Sequence, residues 1–154
     1  MPALPIIAIS IGDPNGIGVE ILLKTFQDNS LFEQCTPVVY ANEAFIQKQQ
    51  LLFDTQVPLG LMKGAPKKGV LNIATIWQDT PEVAFGKQTA KAGVAAFESL
   101  QAAATAVQEG EADALVTAPI HKAAITSHNF PLAGHTRYLG ALWGGNALMW
   151  LAHD

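Results

Sequence analysis

Charge is scarce in this sequence, and neither sign dominates it. Only 14% of its 154 residues are Asp, Glu, Lys or Arg, with 13 acidic against 9 basic residues for a net charge of -4. At a pI near 5.5 there is no basic field of the kind that holds nucleic acid or an anionic membrane surface, so neither is expected as a partner. Cysteine is scarcer still: Cys35 stands alone, which excludes an internal disulfide and any Cys-x-x-Cys zinc site and suits a reducing cytoplasm. No apolar run approaches the roughly 20 residues of a membrane helix. The opening Met1-Pro2-Ala3-Leu4-Pro5 has no basic region and soon meets Gly12, Asp13 and Pro14, so it does not read as a secretory signal. What is abundant is apolar surface, at 49% of residues, enough for a core in one domain.

The apolar residues fall into an alternation of strand-like and helix-like stretches. Residues 5–11 form a short β-branched run bounded by Pro5 and Gly12, which predicts a buried strand. There follows Gly12-Asp13-Pro14-Asn15-Gly16-Ile17-Gly18-Val19-Glu20 and a helical spacing through residue 26. A strand, a glycine-rich turn and a helix start suit an anion or ligand loop; equally, the glycines serve a tight turn by permitting positive φ. The spacing is not G-x-G-x-x-G, so no dinucleotide fingerprint is read here. Residues 37–41 predict a second strand, with Asn42 as N-cap of a helix running to about Leu52. Residues 53–68 are irregular, broken by Pro58, Gly60, Gly64 and Pro66, with Lys63, Lys67 and Lys68 on a solvated loop. A third strand over 70–76 leads through a connection to the longest helix, residues 88–109, whose alanines recur at helical spacing and which Gly110 ends. Residues 112–117 predict a fourth, central strand covered on both faces. Residues 136–143 predict a short helix and 147–152 (A-L-M-W-L-A) a fifth apolar strand.

Chemistry concentrates in residues 112–136, beyond the carboxyl end of the fourth strand, the edge at which open α/β sheets bind ligands. The stretch carries Thr117, His121, Lys122, His128 and then Gly134-His135-Thr136. Lys122 offers a point charge for phosphate or carboxylate. Gly134 admits close backbone approach, while His135 and Thr136 supply an imidazole and a hydroxyl at a helix start, a combination that holds a carboxylate, phosphate or substrate hydroxyl. His128 reads as a loop or helix-end residue and His153 as a near-terminal one. The intervals between the histidines exceed the three or four residues of a helical metal motif. Ser10, Ser30, Ser99 and Ser127 lack a nucleophile-elbow context, which argues against a hydrolase.

Three stretches, Gly12 to Glu20, Ala112 to Lys122 (A-D-A-L-V-T-A-P-I-H-K) and Gly134-His135-Thr136, resemble the N-terminal half of the 4-hydroxythreonine-4-phosphate dehydrogenases of vitamin B6 biosynthesis. Their order and separation match across essentially the whole chain. The resemblance implies an α/β fold like that of isocitrate and isopropylmalate dehydrogenases, with a mostly parallel sheet flanked by helices, incomplete here, in a two-domain subunit of which residues 1–154 are the N-terminal part. It implies NAD- or NADP-dependent oxidation of a small phosphorylated substrate with loss of CO2, a divalent metal acting as Lewis acid, hydride transfer to the nicotinamide, and a homodimer. It assigns substrate contacts to His135 and Thr136, with Lys122 as a further candidate, and leaves catalytic and cofactor-binding residues unassigned.

Two features depart from the family pattern. Arg137 follows the G-H-T motif where the family usually carries an acidic residue, and the family's metal-binding histidines would lie beyond residue 154, His153 not standing in the context of the first of them. The expectation is therefore an N-terminal portion without its metal site and inactive alone. A paralogue acting on a four-carbon sugar acid 4-phosphate, with Arg137 as a specificity change, and a noncatalytic binding module are the alternatives. A further expectation is apolar surface left open on residues 147–152 and on the alanine-rich helix, favouring association.

Overall fold

Each apolar run of the first 117 residues becomes a strand when it finds a neighbour to pair with, and the neighbours are all parallel. The computed structural model describes residues 3–126 and 134–152. Strands β1 (Ile6–Ser10), β2 (Thr36–Ala41), β3 (Leu59–Leu61), β4 (Leu71–Thr75) and β5 (Ala114–Thr117) form one sheet in the order β3-β4-β2-β1-β5. Between and after them come helices α1 (Gly18–Phe26), α2 (Glu43–Leu52), α3 (Ala90–Gln108), α4 (Lys122–Thr126) and α5 (His135–Leu142), with a short 3-10 turn at Asn29–Glu33. The α/β, mostly parallel fold expected from the sequence is the one observed. No helix among the described residues is long and apolar enough to cross a membrane.

The period-two alternation of the strands assigns their side chains to two layers. Ile9, Ile11, Val39, Ala41, Leu71 and Ile73 point to one face, where Val19, Leu23 and Phe26 of α1 and Phe45 and Ile46 of α2 cover them. Ala8, Val38, Tyr40 and Ala74 point to the other and meet Ala103 and Ala106 of α3. Small residues on both sides let α3 lie close to the sheet. The contact is locked by Ser99, whose wholly buried Oγ accepts from Ile11 N at 3.0 Å and donates to the Tyr40 carbonyl at 2.7 Å. On its far side α3 meets α4 at Gly93, where a Cβ would stand 2.2 Å from the Ala124 carbonyl oxygen; only glycine permits that approach.

Local signals mark most boundaries. Asn42 caps α2, its Oδ1 accepting from Phe45 N at 3.0 Å, and Thr89 caps α3 by accepting from Ala92 N at 3.2 Å. Gly110, at φ +75°, ends the turn after α3.

Several expectations are overturned. The fourth predicted strand, β5, is an edge strand rather than a central one, since its ladder partner among the described residues is β1 alone. Nor is it covered on both faces: Leu115 packs under α3, but Val116 is 51% exposed. Apolar composition signals burial, and it does not say how many faces are covered. Residues 147–152 are no strand, since they pair with no strand among the described residues, and β-structure follows pairing more than propensity. Conversely, β3 lies inside the stretch read as irregular. Its three residues centred on Gly60 show no alternation; they are held because Met62 N donates to the Ile73 carbonyl and Leu71 N to the Pro58 carbonyl. The expected exposed apolar surface is present on residues 148–151 but not on α3, whose Ala92, Ala95, Ala96, Ala103, Ala104 and Ala106 are buried.

Candidate substrate site

The loops that follow β1, β2, β4 and β5 all emerge at the carboxyl edge of the parallel sheet. Two of them carry the residues singled out by sequence, and the structure gives them different roles.

The glycine-rich turn after β1 is a joint. Gly12 has φ +68°, and a Cβ there would lie 2.2 Å from the Pro119 carbonyl oxygen. Gly18 is as tightly enclosed, 2.5 Å from the Ile11 carbonyl oxygen and 2.9 Å from Ala118 Cβ. Asp13 N donates to the Pro119 carbonyl at 2.9 Å, so the turn is tied directly to the loop after β5. Asp13 Oδ1 accepts from Asn15 N at 2.9 Å. Asn15, 3% exposed, then fastens the connection between β4 and α3: Nδ2 donates to the Lys87 carbonyl at 2.8 Å and to Thr89 Oγ1 at 3.2 Å. Its Oδ1 accepts from Ala84 N at 2.8 Å, and its carbonyl from Gly86 N at 2.9 Å. The side chains of Asp13 and Asn15 are spent on the protein itself. Of the two readings left open by the residues, the tight turn is the one the geometry supports.

The predicted substrate residues converge elsewhere, at the start of α5. Lys122 is the first residue of α4 and is exposed. Its Cε lies 3.8 Å from the position of a Cβ on Gly134, the N-cap of α5. Gly134 has φ +111°, a conformation that favours glycine, and, having no side chain, it gives α5 no side-chain cap. His135 and Thr136 open the helix, with Thr136 and Arg137 exposed and His135 half-buried. Burial pushes the His135 imidazole below its ordinary range, which keeps it neutral at pH 7. Its Nε2 is buried and has no hydrogen-bond partner among the described residues, a demand that a bound hydroxyl or carboxylate would meet. Tyr138, one turn on, anchors α5 by packing edge-to-face on Phe97 of α3 at 5.6 Å. The corner thus presents helix-terminal amides, a cation and a neutral imidazole, a set suited to an anionic hydroxylated small molecule.

The remaining predicted residues contribute less. His121 is exposed, and its carbonyl starts α4 by accepting from Ala124 N at 3.0 Å. His128 and His153 lie outside the described residues. Among the described residues no group of three His, Cys, Asp or Glu side chains is placed to hold a metal ion, so the donor set present does not fit a divalent cation. Sequence reasoning missed the roles of Asn15 and Ser99. Asn15 stood in plain view inside the glycine-rich turn, whereas nothing local distinguishes Ser99 from a small residue on a helix face.

Solved structures that share this α/β fold are those of dehydrogenases. A 4-hydroxythreonine-4-phosphate dehydrogenase from Burkholderia phymatum superposes with a TM-score of 0.83 at 27% identity, over 94% of this chain and 45% of that one. Among curated proteins, the 4-hydroxythreonine-4-phosphate dehydrogenase of Bacteroides thetaiotaomicron is 36% identical over 135 residues, 86% of this chain and 37% of its own length. A Clostridium botulinum protein provisionally named a D-threonate 4-phosphate dehydrogenase is 33% identical over 144 residues, 90% of this chain and 43% of that protein. The model of the pyridoxal phosphate biosynthetic protein PdxA matches residues 33–154, and the chain belongs to that family. It spans less than half the length of each of these relatives.

Proposed function

We propose that this chain is the N-terminal part of a dehydrogenase that oxidises 4-phosphooxy-L-threonine with NAD or NADP and releases CO2 to give 3-amino-2-oxopropyl phosphate, and that it supplies one wall of the substrate site. The observation that carries this reading is the approach of Lys122 to Gly134, the residue that opens α5 ahead of His135 and Thr136, in a family named for pyridoxal phosphate biosynthesis. Lys122, the Thr136 hydroxyl and the first amides of α5 bind the anionic groups of the substrate. The neutral His135 accepts or donates one hydrogen bond at a substrate hydroxyl. A divalent metal finds no fitting donor set among the described residues; it and the nicotinamide belong to the complete enzyme, and no step of the oxidation is assigned to this chain. The chain alone is expected to bind substrate without turnover. The complete enzyme is read as a cytoplasmic homodimer.

A second reading is favoured by Arg137. It lies exposed in the first turn of α5, and no carboxylate of the described residues is within ion-pair distance of it. A guanidinium beside the binding corner disfavours a substrate ammonium and favours a sugar acid 4-phosphate, the substrate class in the name of the Clostridium relative. Calorimetric titration of the chain with 4-phosphooxy-L-threonine and with D-threonate 4-phosphate separates the two, and Thr136→Ala and Lys122→Ala should each weaken whichever binds. If neither ligand binds, or if neither variant changes the affinity, the assignment of this corner as the substrate wall fails.

A further inference from the structure

The substrate corner is carried by two short helices, and both rest on a single stripe of α3. Gly93, Ala96, Phe97 and Leu100 recur at intervals of three and four residues and so share one face of that helix. Ala96 and Leu100 gather Ile125 of α4 and Tyr138 of α5 into one buried cluster, and the Phe97 ring meets Tyr138 edge-to-face. At the N-terminal end of the stripe, Gly93 receives the Ala124 carbonyl of α4 at a distance no side chain allows: a Cβ would stand 2.2 Å from its oxygen and 2.5 Å from its carbon. Glycine weakens a helix interior relative to alanine, and the other small residues of α3 are mostly alanines. What glycine supplies at this one position is close approach. The same end of α3 is fixed by the glycine-rich turn, because Asn15 Nδ2 donates to Thr89 Oγ1, while Asp13 N holds the Pro119 carbonyl of the loop that leads into α4.

We propose that Gly93 is a positioning residue of the substrate corner: by admitting α4 against α3 it sets the place of Lys122 relative to Gly134, and with it the gap that holds an anionic group of the substrate. The proposal rests on the reading of this corner as the substrate wall. Lys122 stands two residues before the contact, at the start of α4. The His121 carbonyl accepts from both Ala124 N and Ile125 N, so residues 121–125 move as one turn and a push at Ala124 is carried to Lys122. In Gly93→Ala the added Cβ must go from 2.2 Å to an ordinary contact of at least 3.4 Å, which needs about 1 Å of room. α3 does not yield, since Ser99 ties it to Ile11 N and to the Tyr40 carbonyl of β2. α5 keeps its seat through Tyr138 and Phe97. The displacement therefore falls on α4, and a binding constellation tolerates only about 0.5 Å.

The test is a double-mutant cycle on affinity. The native chain, Gly93→Ala, Lys122→Ala and the double variant are titrated calorimetrically with D-threonate 4-phosphate and with 4-phosphooxy-L-threonine. Lys122→Ala is expected to weaken binding about ten-fold, the loss of one charge-assisted hydrogen bond, and Gly93→Ala to weaken it comparably. In the Lys122→Ala background the second substitution should change affinity by less than about two-fold, because the group it displaces is already gone. A residue that merely supports the fold costs the same factor in both backgrounds, and that result overturns the proposal. So does a Gly93→Ala chain that binds like the native one while Lys122→Ala binds more weakly; the corner then stands as the substrate wall and only the role of Gly93 falls. If neither ligand binds the native chain, or Lys122→Ala leaves affinity unchanged, the reading of the corner fails and the proposal falls with it. Ile125→Val, which thins the same seat of α4 without a clash, goes through the same cycle, and additivity with Lys122→Ala there overturns the proposal as well. A reading without ligand comes from proton contacts in NMR: those between the Lys122 side chain and Gly134 should be lost in Gly93→Ala while those between Phe97 and Tyr138 persist. Retention of the Lys122 contacts in a folded Gly93→Ala chain overturns the proposal.

Discussion

Replacing Asn15 separates the two readings of the glycine-rich turn. In the structure its side chain makes three hydrogen bonds, to the Lys87 carbonyl, Thr89 Oγ1 and Ala84 N, while 3% exposed. Asn15→Ala leaves the Ala84 amide and the Lys87 carbonyl without their partner in a partly buried site, where an orphaned group costs about 1–3 kcal/mol when water is kept out; with water reaching part of the site, the loss should be about 2–4 kcal/mol. Against a total of roughly 5–15 kcal/mol that is a large fraction. With a urea slope of about 1–3 kcal/mol per molar, the unfolding midpoint should fall by about 1–2 M. Asn15→Asp keeps the acceptor for Ala84 N but sets an anionic oxygen against the Lys87 carbonyl, so its cost should be similar in size. Hydrogen exchange locates the effect: the Ala84 and Gly86 amides should lose protection first in Asn15→Ala, while Asn15→Asp spares Ala84. An unchanged midpoint with both amides still protected would refute the account of this turn as a structural joint and reopen it as a ligand loop.

Ser99→Ala removes the acceptor for Ile11 N and the donor to the Tyr40 carbonyl; denaturant unfolding should show a loss of about 2–4 kcal/mol, and a loss below about 0.5 kcal/mol would mean that α3 is held by packing alone. His135 gives a pH signature. Its folded-state pKa is depressed by burial, so the unfolded chain binds the proton more readily. The stabilisation is full above the unfolded value of about 6.5 and is lost as pH falls through the lower folded value. Urea midpoints measured across this acidic window should drop more steeply for the native chain than for His135→Gln, and parallel curves would contradict it.

The sheet was legible to the extent that its strands announce themselves locally. β1, β2 and β4 are β-branched runs between turn residues, and the cap Asn42 sits where a side-chain oxygen precedes helical spacing, whereas Thr89, read as part of the helix from residue 88, is its cap. What was not legible depends on partners distant in sequence. β3 is a strand because the Ile73 and Pro58 carbonyls accept ladder bonds from Met62 N and Leu71 N, and residues 147–152, richer in β-formers, are not one because they pair with no strand among the described residues. The same reason demoted β5 from the centre to the edge. In the candidate site, Lys122 and the G-H-T residues were identified by their chemistry, but that they share a corner depends on Gly93 letting α4 lie against α3 and on Tyr138 fastening α5 to Phe97. The metal site gave no signal in the residues, and the described residues provide no set of His, Cys, Asp or Glu that fits it.

The central claim is that the start of α5, and not the glycine-rich turn, receives the phosphorylated substrate. It is tested most directly by recording amide shifts of the isotope-labelled chain while titrating D-threonate 4-phosphate and, in parallel, 4-phosphooxy-L-threonine. The account predicts saturable shifts centred on Lys122 and residues 134–137, with residues 12–19 unmoved. Shifts centred on Gly12 to Val19 with α5 silent would contradict it.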